Sequence, residues 1–187
     1  KLDRKGLGAR IGRRLTPQSA DTVIEAYEKA RAGRGDSTAP AELFSAIETD
    51  RVFRMPGVRL AEQQARHDRR TYSYLFTWKS PAMRGALGSC HALELGFVFG
   101  TNHVPGMTAF AGAGPAAEKL ATQTQDAWLA FARSGDPSGA SVGDWPVYTT
   151  ARRATMVFGE ATRAEDAPFD GERRAWDGVA DRILGSL

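Results

Sequence analysis

The chain contains very little cysteine and no long apolar run. Its single cysteine, Cys90, excludes an internal disulfide and favours a reducing compartment such as the cytoplasm. The longest apolar stretch is far shorter than the roughly 20 residues that cross a bilayer, so we expect no membrane segment. The sequence starts at Lys1 rather than methionine and shows no signal-like segment. It is therefore interpreted as an excised or processed piece of a longer protein.

Histidine is also scarce, which leaves few ligands for a transition metal. The segment His91-Ala-Leu-Glu94 could bind a metal ion if it were helical, because its two polar side chains lie three residues apart. The other two histidines, His67 and His103, do not continue a metal-ligand spacing. We therefore predict that this chain supplies no metal ligand.

The 187 residues otherwise have an ordinary globular composition, with 42% hydrophobic and 25% charged residues. Much of the net charge of +3 comes from residues 1–15, where several Lys and Arg residues face only Asp3. A basic segment can bind phosphate backbones or acidic membranes, but no aromatic side chain interleaves these charges as single-strand binding requires. We predict neither nucleic acid nor membrane as a partner, and we interpret residues 1–15 as a loop or lid.

Apolar residues recur at helical spacing in several segments. Thr16 followed by proline is a typical helix start, and Gly135 stands where the long amphipathic helix from Pro115 should end. Pro56 and Gly57 are expected to interrupt the helix that begins near Pro40. The predicted helices run from Thr16 to about Gly33, from about Pro40 to Pro56, from Val58 to about His67, from Pro115 to Gly135, and from Glu172 to Leu184.

Two segments are typical of strands. Aromatic and β-branched residues dominate Thr71–Trp78, and their near-continuous apolar character predicts burial on both faces, as in a parallel sheet flanked by helices. Thr155–Phe158 is predicted as a short edge strand. Residues 100–114 and 136–143 are rich in turn residues and are predicted as loops. Helices around at least one buried strand indicate an α/β class.

His91 is the residue most open to a chemical role. It follows a small-residue loop that itself follows the predicted core strand. Imidazole exchanges protons near neutral pH, so a histidine at the end of a core strand is a natural proton shuttle. A structural histidine hydrogen-bonded in the core is the simpler interpretation, and the spacing of residues alone leaves both open.

Within the chain, no nucleophile fits this histidine. Gly139-Ala-Ser141-Val-Gly143 matches the G-x-S-x-G pattern of a nucleophilic serine, but the flanks do not supply the strand and the helix that such a serine requires. In hydrolases with this pattern the serine also precedes the histidine, whereas Ser141 follows His91. Cys90 is adjacent to His91, and neighbours in sequence usually point apart. We therefore interpret Ser141 as a loop residue and Cys90 as a small, half-buried thiol.

The segment around His91 resembles the carboxyl-terminal part of the type-B carboxylesterases, the α/β-hydrolase branch that includes cholinesterases and bacterial para-nitrobenzyl esterases. The strongest match is Gly88-Ser-Cys-His-Ala-Leu-Glu-Leu-Gly-Phe-Val-Phe-Gly100. The other matching blocks, in family order, are Asp50-Arg-Val-Phe-Arg-Met-Pro56, Tyr72-Ser-Tyr-Leu-Phe-Thr-Trp78, Ser80-Pro81, Trp128, Phe131-Ala-Arg-Ser-Gly-Asp-Pro137, Trp145-Pro-Val-Tyr148 and Met156-Val-Phe158.

This resemblance implies the carboxyl-terminal part of a single α/β-hydrolase domain, with late strands of a mostly parallel sheet and flanking helices over residues 1–187. It implies that His91 is the histidine of a catalytic triad. It also implies that Glu94 supports this histidine without being a member of the triad or a metal ligand. It implies a small ester as substrate and no cofactor. Gly96 departs from the proline that the family often has there, which could loosen the turn.

The family's nucleophilic serine and acid have no counterpart in this sequence. In the family both precede the histidine, and Asp3 lacks neighbours that fit the acid's motif. We therefore expect the serine and the acid in an amino-terminal portion of the same enzyme, as a partner to this segment. The alternative is a non-catalytic binding or adhesion module on the same fold, and a third possibility is a free-standing helical domain with a basic first segment.

Overall fold

The computed structural model describes residues 2–185. The chain divides into two compact units: the first comprises the described residues up to Gln63 together with those from Phe169 onward, and the second is Gln64–Pro168. The assignment of residues 1–187 to a single domain stays a prediction. The helices are α1 Arg4–Gly12, α2 Pro17–Arg34, α3 Pro40–Thr49, α4 Met55–His67, α5 Leu95–Val98, α6 Met107–Ala111, α7 Pro115–Ser134 and α8 Asp170–Arg174; the strands are β1 Tyr74–Phe76, β2 Ala154–Phe158 and β3 Arg163–Asp166.

The prediction of an irregular loop over residues 1–15 is wrong, because this segment contains α1; a lid role stays a prediction. The Asp3 carboxylate caps the helix by accepting a hydrogen bond from Gly6 N at 2.7 Å. Leu7 and Ile11 lie on one face of the helix and are buried in the core of the first unit, and Leu15 follows them. The glycines between them disguise the apolar stripe, and burial of that stripe outweighs their weak helix propensity.

Pro56 and Gly57 do not interrupt the second predicted helix. A π-helical turn over Asp50–Arg54 joins α3 directly to α4, and Met55 N donates to Asp50 O in its wider pattern. Proline lacks an N–H and its ring crowds the carbonyl four residues earlier, so an ordinary α-helix would be strained here. The inserted residue of the π turn changes which carbonyls face the proline, and the helix continues through it.

The predicted closing helix from Glu172 to Leu184 is also incorrect. The helix α8 is short, Gly178 adopts a left-handed φ of 85°, and a 3-10 turn follows at Asp181–Ile183. Arg59 of α4 donates to Trp176 O at 3.0 Å and to Val179 O at 2.7 Å. The left-handed Gly178 takes the backbone out of the helical conformation between these two carbonyls, and Val179 and Ile183 still pack against the core of the first unit.

The second unit is built on a three-stranded sheet in the order β1-β2-β3. Its first pair is parallel, with Tyr74 opposite Met156 and Phe76 opposite Phe158, and its second pair is antiparallel. The prediction that Thr155–Phe158 forms an edge strand is wrong, because β2 is central and all of its residues are buried. β1 is one edge of this sheet and Tyr74 is 42% exposed, so the predicted burial of this strand on both faces is not found.

The helices of the second unit pack against the sheet around an aromatic core. The long helix α7 ends as predicted, at a left-handed Gly135 with φ 75°. The expected loop over residues 100–114 contains the short helix α6. The buried cluster consists of Leu93, Phe97, Ala111, Ala117, Leu120, Ala121, Ala127, Trp145, Met156 and Phe158.

Gly159, at the carboxyl end of β2, has no room for a side chain. An added Cβ would overlap Thr77 Oγ1, which donates to Phe158 O at 3.1 Å. We expect Gly159→Ala to lower the free energy of unfolding by about 1–3 kcal/mol through overpacking, measured by urea denaturation. The double variant Gly159→Ala/Thr77→Ala should lose little more than Thr77→Ala alone; an additive loss would exclude this clash as the cause.

Candidate active site

The carboxyl end of β1 is where the second unit places its candidate catalytic residue. Thr77 N donates to Phe158 O at 2.6 Å, which extends the pairing of β1 and β2 by one residue. Ser89 lies two residues before His91, and its hydroxyl donates to Phe76 O at 2.9 Å. In open α/β sheets ligands bind at the carboxyl ends of the strands. The backbone leading to His91 is therefore anchored at the edge where such sites form.

The loop between β1 and His91 is closed at its base by Ser80. Ser80 N donates to Gly88 O at 2.9 Å, and the buried Ser80 hydroxyl donates to Phe110 O at 2.5 Å. The same hydroxyl accepts from Ala82 N at 3.2 Å. These bonds bring the two ends of residues 80–88 together, so this loop is closed at its base and compact.

Helix α6 supplies the carbonyls that hold this loop. Trp78 Nε1 donates to Ala111 O at 2.7 Å, next to the carbonyl of Phe110 that Ser80 uses. The last carbonyls of a helix have no partner within it. These two side chains therefore donate to carbonyls that would otherwise lack a hydrogen bond from the helix. The Trp78 ring also lies edge-on to Phe97, with centroids 5.9 Å apart. The start of the loop is thus tied to the core.

His91 lies at the surface on a tight turn. Its side chain is exposed, while Leu93, two residues later, is completely buried in the core. Leu93 N donates to Cys90 O at 3.3 Å across the turn, and Ala92 takes a left-handed φ of 65°. A non-glycine residue in this conformation is strained, and such strain clusters at functional sites. This turn presents the imidazole to solvent while the next residues enter the core.

Glu94 caps the start of the short helix α5, one turn after His91. Its carbonyl accepts from Phe97 N at 3.0 Å and Val98 N at 2.9 Å, and its side chain is half-buried. Burial raises the pKa of the Tyr74 phenol, and the negative charge of Glu94 raises it further.

Gly96 is enclosed where the family often has proline. A Cβ at this position would lie 3.0 Å from Met107 Cε, so the methionine methyl group fills the space that a larger residue would need. Gly96 O accepts from Thr101 N at 2.8 Å and from Asn102 N at 3.0 Å. The carbonyl of Gly96 is thus fully used, and the loosening of this turn relative to proline stays a prediction.

Ser141 and Cys90 lie where the interpretation of the sequence placed them. Ser141 is in the loop after α7, and its Oγ is buried and has no hydrogen-bond partner among residues 2–185. Its carbonyl accepts from Gln123 Nε2 at 2.8 Å. Cys90 is half-buried and packs against the aromatic core. Neither side chain is presented as a nucleophile.

Residues 2–185 contain neither a cluster suited to a metal ion nor a helix suited to a membrane. No group of three or more His, Cys, Asp or Glu side chains there could hold a metal ion. Within the same residues, no helix combines the length and the apolar character that crossing a bilayer demands. His67 and His103 are both exposed.

Sequence reasoning missed the residues that hold the loop. Ser80 and Trp78 belong to blocks that resemble the family, which was the available signal, but nothing in the pattern assigns them a hydrogen-bonding role. Ser89 and the strained Ala92 lie in the strongest of these blocks, but a local sequence does not reveal which backbone carbonyl lies across the fold.

The model of the carboxylesterase family matches residues 7–176 of this chain. The chain belongs to the carboxylesterase family. It is 36% identical over 141 residues to the para-nitrobenzyl esterase of Bacillus subtilis and 30% identical over 148 residues to the phenmedipham hydrolase of Pseudarthrobacter oxydans. These alignments cover 72% and 78% of the chain but only 27% and 29% of the two relatives.

Solved carboxylesterase structures share the fold. A carboxylesterase from Geobacillus stearothermophilus superposes with a TM-score of 0.75 and 39% identity, over 94% of this chain and 35% of that one. A para-nitrobenzyl esterase structure gives a TM-score of 0.69 at 25% identity, over 92% and 33%. The chain therefore has part of an α/β-hydrolase fold, as predicted, and spans about a third of the length of its carboxylesterase relatives.

Proposed function

We propose that this chain is the part of a serine carboxylesterase that supplies the catalytic histidine, His91. The observation that carries the proposal is the placement of an exposed imidazole on a strained turn tied to the carboxyl end of β1. Membership of the carboxylesterase family supports ester hydrolysis as the reaction. The serine and the acid of the triad would come from an amino-terminal portion of the enzyme outside these residues.

In this mechanism His91 acts first as a base and then as an acid. It takes the proton from the serine hydroxyl as the serine oxygen attacks the ester carbonyl, and it returns that proton to the alcohol as the carbon–oxygen bond breaks. The acyl-enzyme is then hydrolysed when His91 removes a proton from water and gives it back to the serine. Glu94 supports the turn that carries His91 and does not contact the substrate. The reaction needs no cofactor.

The test is covalent labelling of the intact protein. An activated serine should react with an organophosphate, giving a single mass addition on one serine outside these residues, together with hydrolysis of nitrophenyl esters. A para-nitrobenzyl ester and phenmedipham, for which the two relatives are named, are the first further substrates to assay. Absence of both labelling and hydrolysis would instead favour a non-catalytic binding module.

A further inference from the structure

Ser89 holds the backbone immediately before His91 to the sheet. Its side chain is exposed, yet its hydroxyl donates to Phe76 O at 2.9 Å. Phe76 is the last residue of β1 and is paired with Phe158 in the central strand. This side-chain hydrogen bond therefore connects the histidine turn to the parallel strand pair of the second unit.

The backbone after His91 is held by a different means. Leu93 is fully buried, and the left-handed Ala92 between them is strained. Strained residues persist only where the surrounding structure fixes both of their ends. The buried Leu93 holds the far end, and the Ser89 hydroxyl provides a side-chain contact that holds the near end.

We propose that Ser89 is a positioning residue for His91 in the proposed ester hydrolysis, on which this inference rests. Its bond to Phe76 O sets the direction of the turn and therefore the distance of the imidazole from the serine oxygen. Proton transfer requires the imidazole to lie within hydrogen-bond distance of the serine hydroxyl. A displacement of the imidazole by about 1 Å can therefore lower the rate by up to about 100-fold. Because the bond is exposed, its loss leaves the folded state nearly as stable as before.

The experiment compares Ser89→Ala, Ser89→Thr and Ser134→Ala in the intact enzyme with para-nitrophenyl butyrate. Ser134 is an exposed serine whose hydroxyl likewise donates to a backbone carbonyl, Ala130 O at 2.9 Å, at the end of α7. We expect Ser89→Ala to lower kcat about 5- to 20-fold with KM within twofold and Tm within about 2 °C of the wild type. Ser89→Thr keeps the hydroxyl and should restore kcat, and Ser134→Ala should leave kcat unchanged.

The other outcomes overturn the inference in distinguishable ways. An unchanged kcat in Ser89→Ala, in an enzyme that His91→Gln inactivates, removes the role of Ser89 and leaves the proposed function intact. A rise in KM alone would assign Ser89 to substrate binding, and a fall in kcat that follows a fall in Tm would make its role purely structural. A wild-type protein without esterase activity removes both proposals together.

Discussion

His91→Gln is expected to lower kcat of the intact enzyme by at least about 10³-fold, with KM little changed. The glutamine side chain is polar and similar in length to histidine, but its amide cannot take the proton of the serine hydroxyl at neutral pH. A loss of this size corresponds to about 4 kcal/mol or more of transition-state stabilisation. Steady-state hydrolysis of a nitrophenyl ester measures it, and organophosphate labelling should be lost in parallel because the serine is no longer activated.

The matched control is His103→Gln. His103 is also exposed and lies in the same unit, on the loop before α6. It should keep kcat within about twofold of the wild type, since surface substitutions usually change little. Thermal unfolding should be unchanged in both variants because both side chains are at the surface. Retention of a near-normal rate by His91→Gln would remove His91 from the mechanism, whatever the activity of the protein.

Local signals predicted the start of α2 and the end of α7. Thr16 begins α2 by accepting a hydrogen bond from Ser19 N at 3.3 Å, and Gly135 ends α7 in a left-handed conformation. Both features depend on residues within one turn of the boundary, so the sequence contains all the information that they need. The position of His91 on a loop after β1 was predictable for the same reason, since the loop and strand are adjacent in sequence, whereas its exposure was not, because the spacing left a buried structural histidine open.

Features that depend on distant residues were not predictable. The central position of β2 depends on pairing with β1, about 80 residues earlier, and nothing in Thr155–Phe158 encodes its neighbours. In the closing segment, Arg59 of α4 binds the carbonyls of Trp176 and Val179, a contact that the local sequence does not encode. The loop anchors Ser80 and Ser89 likewise bind carbonyls chosen by the tertiary fold. Tertiary contacts therefore overrode local propensity at each of these places.

Asp50→Ala is expected to give the largest loss of stability, about 3–5 kcal/mol in the free energy of unfolding. The Asp50 carboxylate is buried in the first unit, where it accepts from the Tyr27 hydroxyl and from Arg54 Nε at 2.7 Å. The Tyr27 hydroxyl in turn accepts from Trp176 Nε1 at 2.8 Å. Removing the carboxylate leaves a largely buried guanidinium without its counter-charge and the hydroxyl without its acceptor, and urea denaturation followed by tryptophan fluorescence measures the cost.

Asp166→Ala is the matched control, because it breaks an aspartate–arginine pair of similar geometry at the surface. Arg152 Nε lies 2.6 Å from Asp166 Oδ1, and the two side chains are 54% and 55% exposed. Solvent screens such a pair, so its loss should cost less than about 1 kcal/mol. Equal losses in the two variants would mean that the Asp50 cluster contributes no more than a surface pair. A several-fold larger loss for Asp50→Ala would instead show that Asp50, in the block Asp50–Pro56, stabilises the fold. Its carboxylate connects α2 and the π-helical turn to Trp176 of the closing segment, independently of the chemistry at His91.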